Sequence, residues 1–99
     1  MARFDVYRGT GGAYLLLDCQ SDLLRDLNTR FVVPLQLPEN SPQPARRLNP
    51  VFEIEGQEYV MVTQFAAAIA KRECGTFVTS LASEHTTIMN AVDMLVSSY

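Results

Sequence analysis

The stretch that decides the fold is residues 14–35, YLLLDCQSDLLRDLNTRFVVPL. It begins and ends with apolar, β-prone runs, and a more polar segment lies between them. Runs of this length and composition favour two strands of a sheet over a buried helix. The continuous run Leu15–Leu17 predicts a strand that is buried on both faces and therefore central. Pro34 has no backbone N–H, so we expect it to stop ladder pairing on one side of the second strand.

The link between these strands carries two adjacent leucines. Residues 21–24 can form a short turn or bulge that projects Leu23 and Leu24 together. By residue type alone, both side chains are assigned to the core, because leucine is usually buried.

The chain before this stretch predicts a first strand over Arg3–Tyr7, with Phe4 and Val6 on one face. The glycine-rich residues 9–12 then reverse the chain. A phosphate-binding loop would need a helix directly after the glycines, whereas an apolar strand follows here. The sequence therefore predicts a hairpin turn.

The chain after this stretch becomes irregular and then returns to strands. Residues 36–50 contain four prolines and predict a long, partly extended loop. Val51–Glu55 and Glu58–Gln64 predict a hairpin across Gly56 and Gln57, with glycine first as in a type II′ turn. Its acidic residues are interpreted as the polar face of an exposed hairpin rather than as an acid–base or cation site; they are Glu53, Glu55 and Glu58.

The last third of the chain predicts one more strand and one helix. Phe65–Ala70 has helix propensity but is short, and its small side chains would allow a subunit contact. Cys74–Leu81 predicts a strand. A helix should follow, capped by Ser80 or Ser83. Its apolar stripe, at three- and four-residue spacing, consists of Ile88, Ala91, Val92, Leu95, Val96 and Tyr99.

Composition limits the classes of function. The 99 residues are 47% hydrophobic and predict a single domain over residues 1–99, with an apolar surplus that can serve an oligomer contact. A net charge of −3 weighs against a phosphate-binding surface and direct nucleic-acid binding. Cys19 and Cys74 are expected to be buried thiols in a reducing cytosol. With neither a signal segment nor a spanning run, we expect a soluble, cytoplasmic protein that has no membrane partner.

The pattern of reactive residues predicts no catalytic site, cofactor or metal. Neither cysteine has a partner at metal-ligand spacing. His85, which is the sole histidine, lacks a paired nucleophile and is interpreted as a surface residue.

The central motif resembles the CcdB family of bacterial toxins. That family shows Asp-x-Gln-Ser-Asp, two aliphatic residues, and later an arginine and an aliphatic-Pro-Leu end. The likeness extends over nearly the whole chain in register. The matching segments are Asp18–Leu24, Leu27–Leu35, Phe4-x-Val6-Tyr7, Leu48–Val51, Val60–Thr63 and Asn90–Val92.

The resemblance implies a mainly β fold, an SH3-like antiparallel barrel with a small additional sheet and one C-terminal helix. It also implies a homodimer without a cofactor or a bond-making step. Toxins of this family bind the DNA gyrase A subunit and trap the cleaved-DNA complex. A CcdA-like antitoxin neutralises them by wrapping the toxin with a disordered segment.

The resemblance implies a gyrase-binding site on the two aliphatics and the last helical turn. Carried over residue by residue, this site comprises Leu23, Leu24, Asp93, Val96, Ser97, Ser98 and Tyr99. The sequence departs from the family at this end, where well-known members finish in Phe-Trp-Gly-Ile and have Asn in place of Asp93. Residues 66–70 also replace the family's Met-x-Ser-Val-Pro segment.

Two other functions stay open from the sequence. The altered tail fits a module that binds antitoxin but has lost gyrase poisoning. A ribonuclease toxin of the MazF type would share the fold, although it needs basic and hydroxyl or carboxylate groups converging on a cleft.

Overall fold

The fold is an antiparallel sheet that curls into a half-barrel and carries one C-terminal helix. The computed structural model describes residues 1–11, 14–42, 45 and 47–97. Within them, the strands are β1 Asp5–Arg8, β2 Leu15–Asp18, β3 Thr29–Gln36, β4 Val51–Ile54, β5 Gln57–Met61, β6 Ala67–Ala70 and β7 Phe77–Ser80, and the helix is α1 His85–Val96. Short 3₁₀ turns are Asp22–Leu24, Pro38–Asn40, Thr63–Phe65, Lys71–Glu73 and Ala82–Glu84.

Strand β3 organises the sheet. The strand order is β4-β5-β3-β2-β1-β7, and β6 also pairs with β3. On one side β3 pairs with β2, while on the other it pairs with β6 through residues 29–32 and with β5 through residues 35 and 36. Pro34 lies in the interval between these two partners, so the predicted stop is confirmed only as a local interruption: pairing on that side resumes at Leu35, and the Pro34 carbonyl accepts a hydrogen bond from the Val62 N–H at 3.0 Å.

The core lies between the sheet and the helix. Alternate residues of the first three strands point toward α1, and Ile88 and Ala91 of the helix are fully buried against them. All three leucines of Leu15–Leu17 are buried, with β1 and β3 on either side of β2. The prediction of a central strand that is buried on both faces is therefore confirmed.

The C-terminal helix is confirmed, but the prediction of its cap is wrong in part. Glu84 precedes α1 and makes no capping hydrogen bond with its side chain. The Ser80 hydroxyl instead accepts a hydrogen bond from the Ala82 N–H at 3.2 Å, ahead of the short turn that leads into the helix. Ser83 takes no such part. The apolar stripe is buried only in its first half, since Leu95 and Val96 are 41% and 66% exposed.

The β4–β5 hairpin is confirmed, whereas its predicted turn type is wrong. The turn residues are Glu55 and Gly56, with φ of 53° and 77°. Positive φ at both central positions defines a type I′ turn, which matches the twist of a hairpin. The register is therefore one residue earlier than a turn across Gly56 and Gln57 would give.

Phe65–Ala70, which has helix propensity but was expected to be too short for an isolated helix, forms no α-helix. Phe65 ends a 3₁₀ turn, and Ala67–Ala70 forms β6, which pairs with Thr29–Val32 of β3. Pairing with an available strand edge outweighs the helix propensity of alanine, which is a weak preference. The strand predicted over Cys74–Leu81 is confirmed as β7.

Candidate partner-binding surface

Leu23 and Leu24 are exposed, so their assignment to the core was wrong. Leu23 is 94% exposed and Leu24 is 50% exposed, within the turn Asp22–Leu24. A leucine side chain that is almost entirely exposed to water contributes almost nothing to the stability of the folded monomer. Exposed apolar side chains that are held in a defined position are typical of a protein interaction site.

The residues before the two leucines hold the turn in place. The Ser21 hydroxyl accepts a hydrogen bond from the Leu23 N–H at 3.2 Å and so caps the turn. The Gln20 side chain donates to the Leu24 carbonyl at 2.8 Å and accepts from the Phe31 N–H at 3.0 Å. Gln20 thus links the turn to strand β3. The Gln-Ser pair of the motif is therefore a support that fixes the leucines.

A buried ion pair lies under this support. Asp18 and Arg30 are both fully buried and form a salt bridge between neighbouring strands. Burial raises the pKa of the Asp18 carboxyl, and hydrogen bonds from Arg30 and from the Gln20 N–H partly offset that rise. The Nε and Nη1 atoms of Arg30 have no hydrogen-bond partner among the described residues.

Arg3 joins the leucine turn to the helix. Its backbone N–H donates to Asp22 Oδ1 at 2.9 Å, and its Nη2 lies 2.9 Å from the Met89 sulfur. Its guanidinium also lies 4.8 Å from the centre of the Phe4 ring. The sequence reasoning missed Arg3 as a site residue. The available signal was the resemblance over Phe4-x-Val6-Tyr7, which begins directly after Arg3.

The conformation of Phe4 sets the path of this N-terminal segment. The Asp5 N–H donates to the Ala2 carbonyl at 3.0 Å, and Phe4 has a φ of 72°. A positive φ is a genuine outlier for a bulky residue and persists only where its surroundings enforce it. Here the ring is 3% exposed and packs edge-on against His85, with ring centres 5.2 Å apart.

The helix end continues the surface. Met89, Asp93 and Val96 are spaced by four and three residues, so they lie on one face of α1. Asp93, Val96 and Ser97 are exposed, and the Asp93 carbonyl accepts hydrogen bonds from the Ser97 N–H and hydroxyl at 2.8 and 3.1 Å. Ser98 and Tyr99, which the resemblance also places in the site, lie outside the described residues.

The structure thus connects the two predicted parts of the site through Arg3 and Met89. We call the exposed set the leucine–helix surface; it comprises Leu23, Leu24, Asp93, Val96 and Ser97. Among the described residues, the two leucines share no hydrogen bond with the helix end. The shape of the leucine–helix surface therefore depends on Arg3, on the hydrogen bonds of Gln20 and on the packing of α1.

The cysteine and histidine side chains have environments that suit structure rather than chemistry. Burial is the main reason why the pKa of Cys19 rises to about 12, so its thiol stays protonated at neutral pH. Burial also raises the pKa of Cys74. His85 is exposed, as predicted, and its ring contacts Phe4. In the part of the chain that the structure describes, no cluster of three His, Cys, Asp or Glu residues could hold a metal ion.

A second apolar surface lies on the outer side of the sheet. We call it the β3–β6 face. It has a hollow of about 240 Å³, and Phe65 at its rim is 51% exposed. Its lining residues are Tyr14, Leu16, Val32, Pro34, Gln36, Phe65, Ala67 and Ile69.

Comparison with known families identifies the chain. A family model described as CcdB protein matches residues 3–98. The chain belongs to the CcdB family. This assignment agrees with the motif match of Asp18–Leu35, and the matched range includes every residue of the leucine–helix surface. A search of curated proteins gave no significant match.

Solved structures with the CcdB-like fold of this chain include two mycobacterial proteins. One is described as an endoribonuclease in complex with its cognate antitoxin from a mycobacterial species. It has 17% identity, a TM-score of 0.77, and coverage of 100% of this chain and 98% of that one. The other is described as an endoribonuclease from a mycobacterial species, with 14% identity, a TM-score of 0.72 and coverage of 95% and 88%. At such identities the likeness concerns the fold alone.

The long loop of residues 36–50 is held at its C-terminal end. Its last part is anchored by Asn49, whose side-chain amide donates to the Met61 carbonyl at 3.0 Å and to Gln64 Oε1 at 2.7 Å. Its Oδ1 accepts from the Ala45 N–H at 2.9 Å. Asn49 thus explains, in structural terms, the family match over Leu48–Val51.

Among the described residues, no helix has the length and apolar character needed to cross a membrane.

Proposed function

We propose that this CcdB-family protein is the toxin of a type II toxin–antitoxin system that acts in the cytoplasm. In this proposal it binds the DNA gyrase A subunit, traps the cleaved-DNA complex and is neutralised by a CcdA-like antitoxin. It acts by binding rather than by catalysis. The observation that carries the proposal is the 94% exposure of Leu23 within a turn that two motif residues, Gln20 and Ser21, hold in place.

A binding mechanism accounts for poisoning without any chemical step. A ligand shifts a conformational equilibrium only through its different affinities for the two states. A toxin that binds the cleaved state of gyrase about 100-fold more tightly would favour that state by about 2.7 kcal/mol. The leucine–helix surface needs to do no more than recognise that one state.

We further propose that the homodimer forms through the β3–β6 face. Phe65 and the small residues Ala67 and Ala68 are exposed on or beside this face, so two sheets can approach closely. A two-fold dimer would present two leucine–helix surfaces to a symmetric target. Phe65→Glu should therefore yield a monomer in analytical ultracentrifugation at a concentration where the native protein is dimeric. A sedimentation coefficient equal to that of the native dimer would exclude this face.

The test of the function has a cellular arm and a binding arm. Expression without antitoxin should arrest growth and leave gyrase-linked DNA breaks, whereas coexpression of the antitoxin should restore growth. Purified protein should bind the dimerisation domain of gyrase A in a calorimetric titration. Normal growth at high expression, together with no binding to the domain, would reject the proposal.

A second candidate is a module that binds antitoxin without poisoning gyrase. It is favoured by the exposed charge of Asp93, at a position where family members carry an uncharged residue. Affinity for a CcdA-like peptide combined with no affinity for gyrase A would select it. A third outcome, specific cleavage of RNA by the purified protein, would instead select a ribonuclease of the MazF type.

A further inference from the structure

The two ends of the sheet face each other across a groove. β4 and β7 are the last strands at either end of the strand order. Within the described residues β4 pairs only with β5, and β7 pairs only with β1. The groove between their free edges has a volume of about 430 Å³. Free strand edges carry unpaired N–H and C=O groups and can accept another strand.

The groove is acidic. Glu53, Glu55 and Glu84 line it, and no Lys or Arg is among the described residues that do. The guanidinium of Arg8, on β1, approaches Glu55 Oε1 at 3.2 Å, but these two side chains are 48% and 62% exposed. Ion pairs of that exposure are weak, so an incoming cation can replace Arg8.

One glutamate pair in the hairpin is unfavourable in the free protein. Glu53 of β4 lies directly opposite Glu58 of β5, and both are exposed. Like charges directly opposite each other on paired strands destabilise a sheet. A cation placed beside Glu53 from the free side of β4 would relieve this repulsion. The Glu53–Glu58 repulsion and the free edge of β4 together favour a positively charged, extended ligand in the groove.

We propose that the groove binds an extended, basic segment of a partner protein, which adds as a strand to the free edge of β4. Along β4 the side chains alternate, with Phe52 and Ile54 buried and Glu53 exposed. A guest strand would alternate in the same way, with Lys or Arg at every second position on the outer side. This interaction goes beyond the proposed function, since none of its residues belongs to the leucine–helix surface.

The test uses the full chain and a capped peptide of sequence Lys-Val-Arg-Val-Lys as the probe. NMR titration should shift the backbone amides of β4 and β7. The peptide Glu-Val-Glu-Val-Glu should cause no such shift. An N-methylated version of the basic peptide, which cannot donate backbone hydrogen bonds, should bind at least about tenfold more weakly.

Variants of the protein test the role of charge. Glu53→Lys should weaken binding of the basic peptide by about tenfold, and Glu53→Gln by about threefold. The matched control is Glu39→Lys, at an exposed glutamate of the turn Pro38–Asn40 outside the groove, which should change affinity by less than twofold. If Glu53→Lys does not fold, Glu53→Gln provides the comparison, with Glu39→Gln as the control that changes the net charge by the same amount.

Three outcomes would overturn this inference. The first is equal weakening by Glu53→Lys and Glu39→Lys, which would indicate attraction to net charge alone. The second is shifts confined to residues outside β4 and β7. The third is equal binding of the N-methylated peptide. Titration of Glu53→Lys against gyrase A separates the two proposals, since that affinity should equal the native one.

Discussion

Replacement of Leu23 by alanine should separate binding from folding. Burying a leucine side chain contributes about 1.5–3 kcal/mol, and Leu23 is 94% exposed, so nearly all of that remains available to a partner. We expect Leu23→Ala to weaken binding to gyrase A by about 2 kcal/mol, or roughly 30-fold. Leu24 is 50% exposed, and Leu24→Ala should therefore cost about half as much, or roughly fivefold.

The same substitutions should leave the monomer almost unchanged. Loss of an exposed side chain usually alters the free energy of unfolding by less than about 0.5 kcal/mol. The assay is calorimetric titration against the gyrase A domain, paired with urea unfolding of each variant. Leu27→Ala is the matched control, because Leu27 is 49% exposed but has no place in the predicted site. Equal losses of affinity at Leu23 and Leu27 would refute the reasoning.

Three further predictions concern the buried pair, alkaline pH and the hairpin turn. Arg30→Met should lower the free energy of unfolding by about 3–5 kcal/mol in urea titrations, because it leaves the buried Asp18 carboxylate unpaired. The double variant Arg30→Met with Asp18→Leu should recover most of that loss, and an Arg30→Met variant as stable as the native protein would contradict the prediction. Since burial raises the pKa of Cys19 from 9.0 to about 12, the unfolded chain loses this proton first as pH rises, and stability should fall above pH 9 by up to about 1.4 kcal/mol per pH unit. Cys19→Val should lessen this slope between pH 9 and 10 and leave the part due to Cys74, and an unchanged slope would exclude Cys19 as a source. Gly56→Ala should cost about 1–2 kcal/mol in thermal or urea unfolding, since φ is 77° at this position, and no cost would argue against the type I′ turn.

Much of the fold could be predicted because its local and long-range signals agree. The run Leu15–Leu17 is apolar at every position, which suits a strand with neighbours on both sides and the helix above it. The stripe through Ile88 and Ala91 has a helical period, and the helix forms there. The strand in Phe65–Ala70 was not predicted, because alanine carries little information on its own. Its strand exists only because β3 offers an edge to pair with, which no local pattern reveals.

The candidate site was predictable only in part. Residue type places Leu23 in the core, and only the family motif indicated that it is exposed. The role of Arg3 depends on contacts with Asp22 and Met89, 19 and 86 residues away in sequence, so spacing along the chain could not predict it. The turn at Glu55 was missed by one residue because glutamate seldom adopts a positive φ.

The hydrogen bonds made by the Asn49 side chain have a practical consequence for engineering. Because this side chain ties Ala45 to Met61, the start of β4 is held in register from the C-terminal side of the loop. Added or removed residues between Pro38 and Pro42, both exposed, should therefore leave the pairing of β4 with β5 intact. That short interval is a suitable insertion point for a fluorescent reporter with which to follow the protein in living cells.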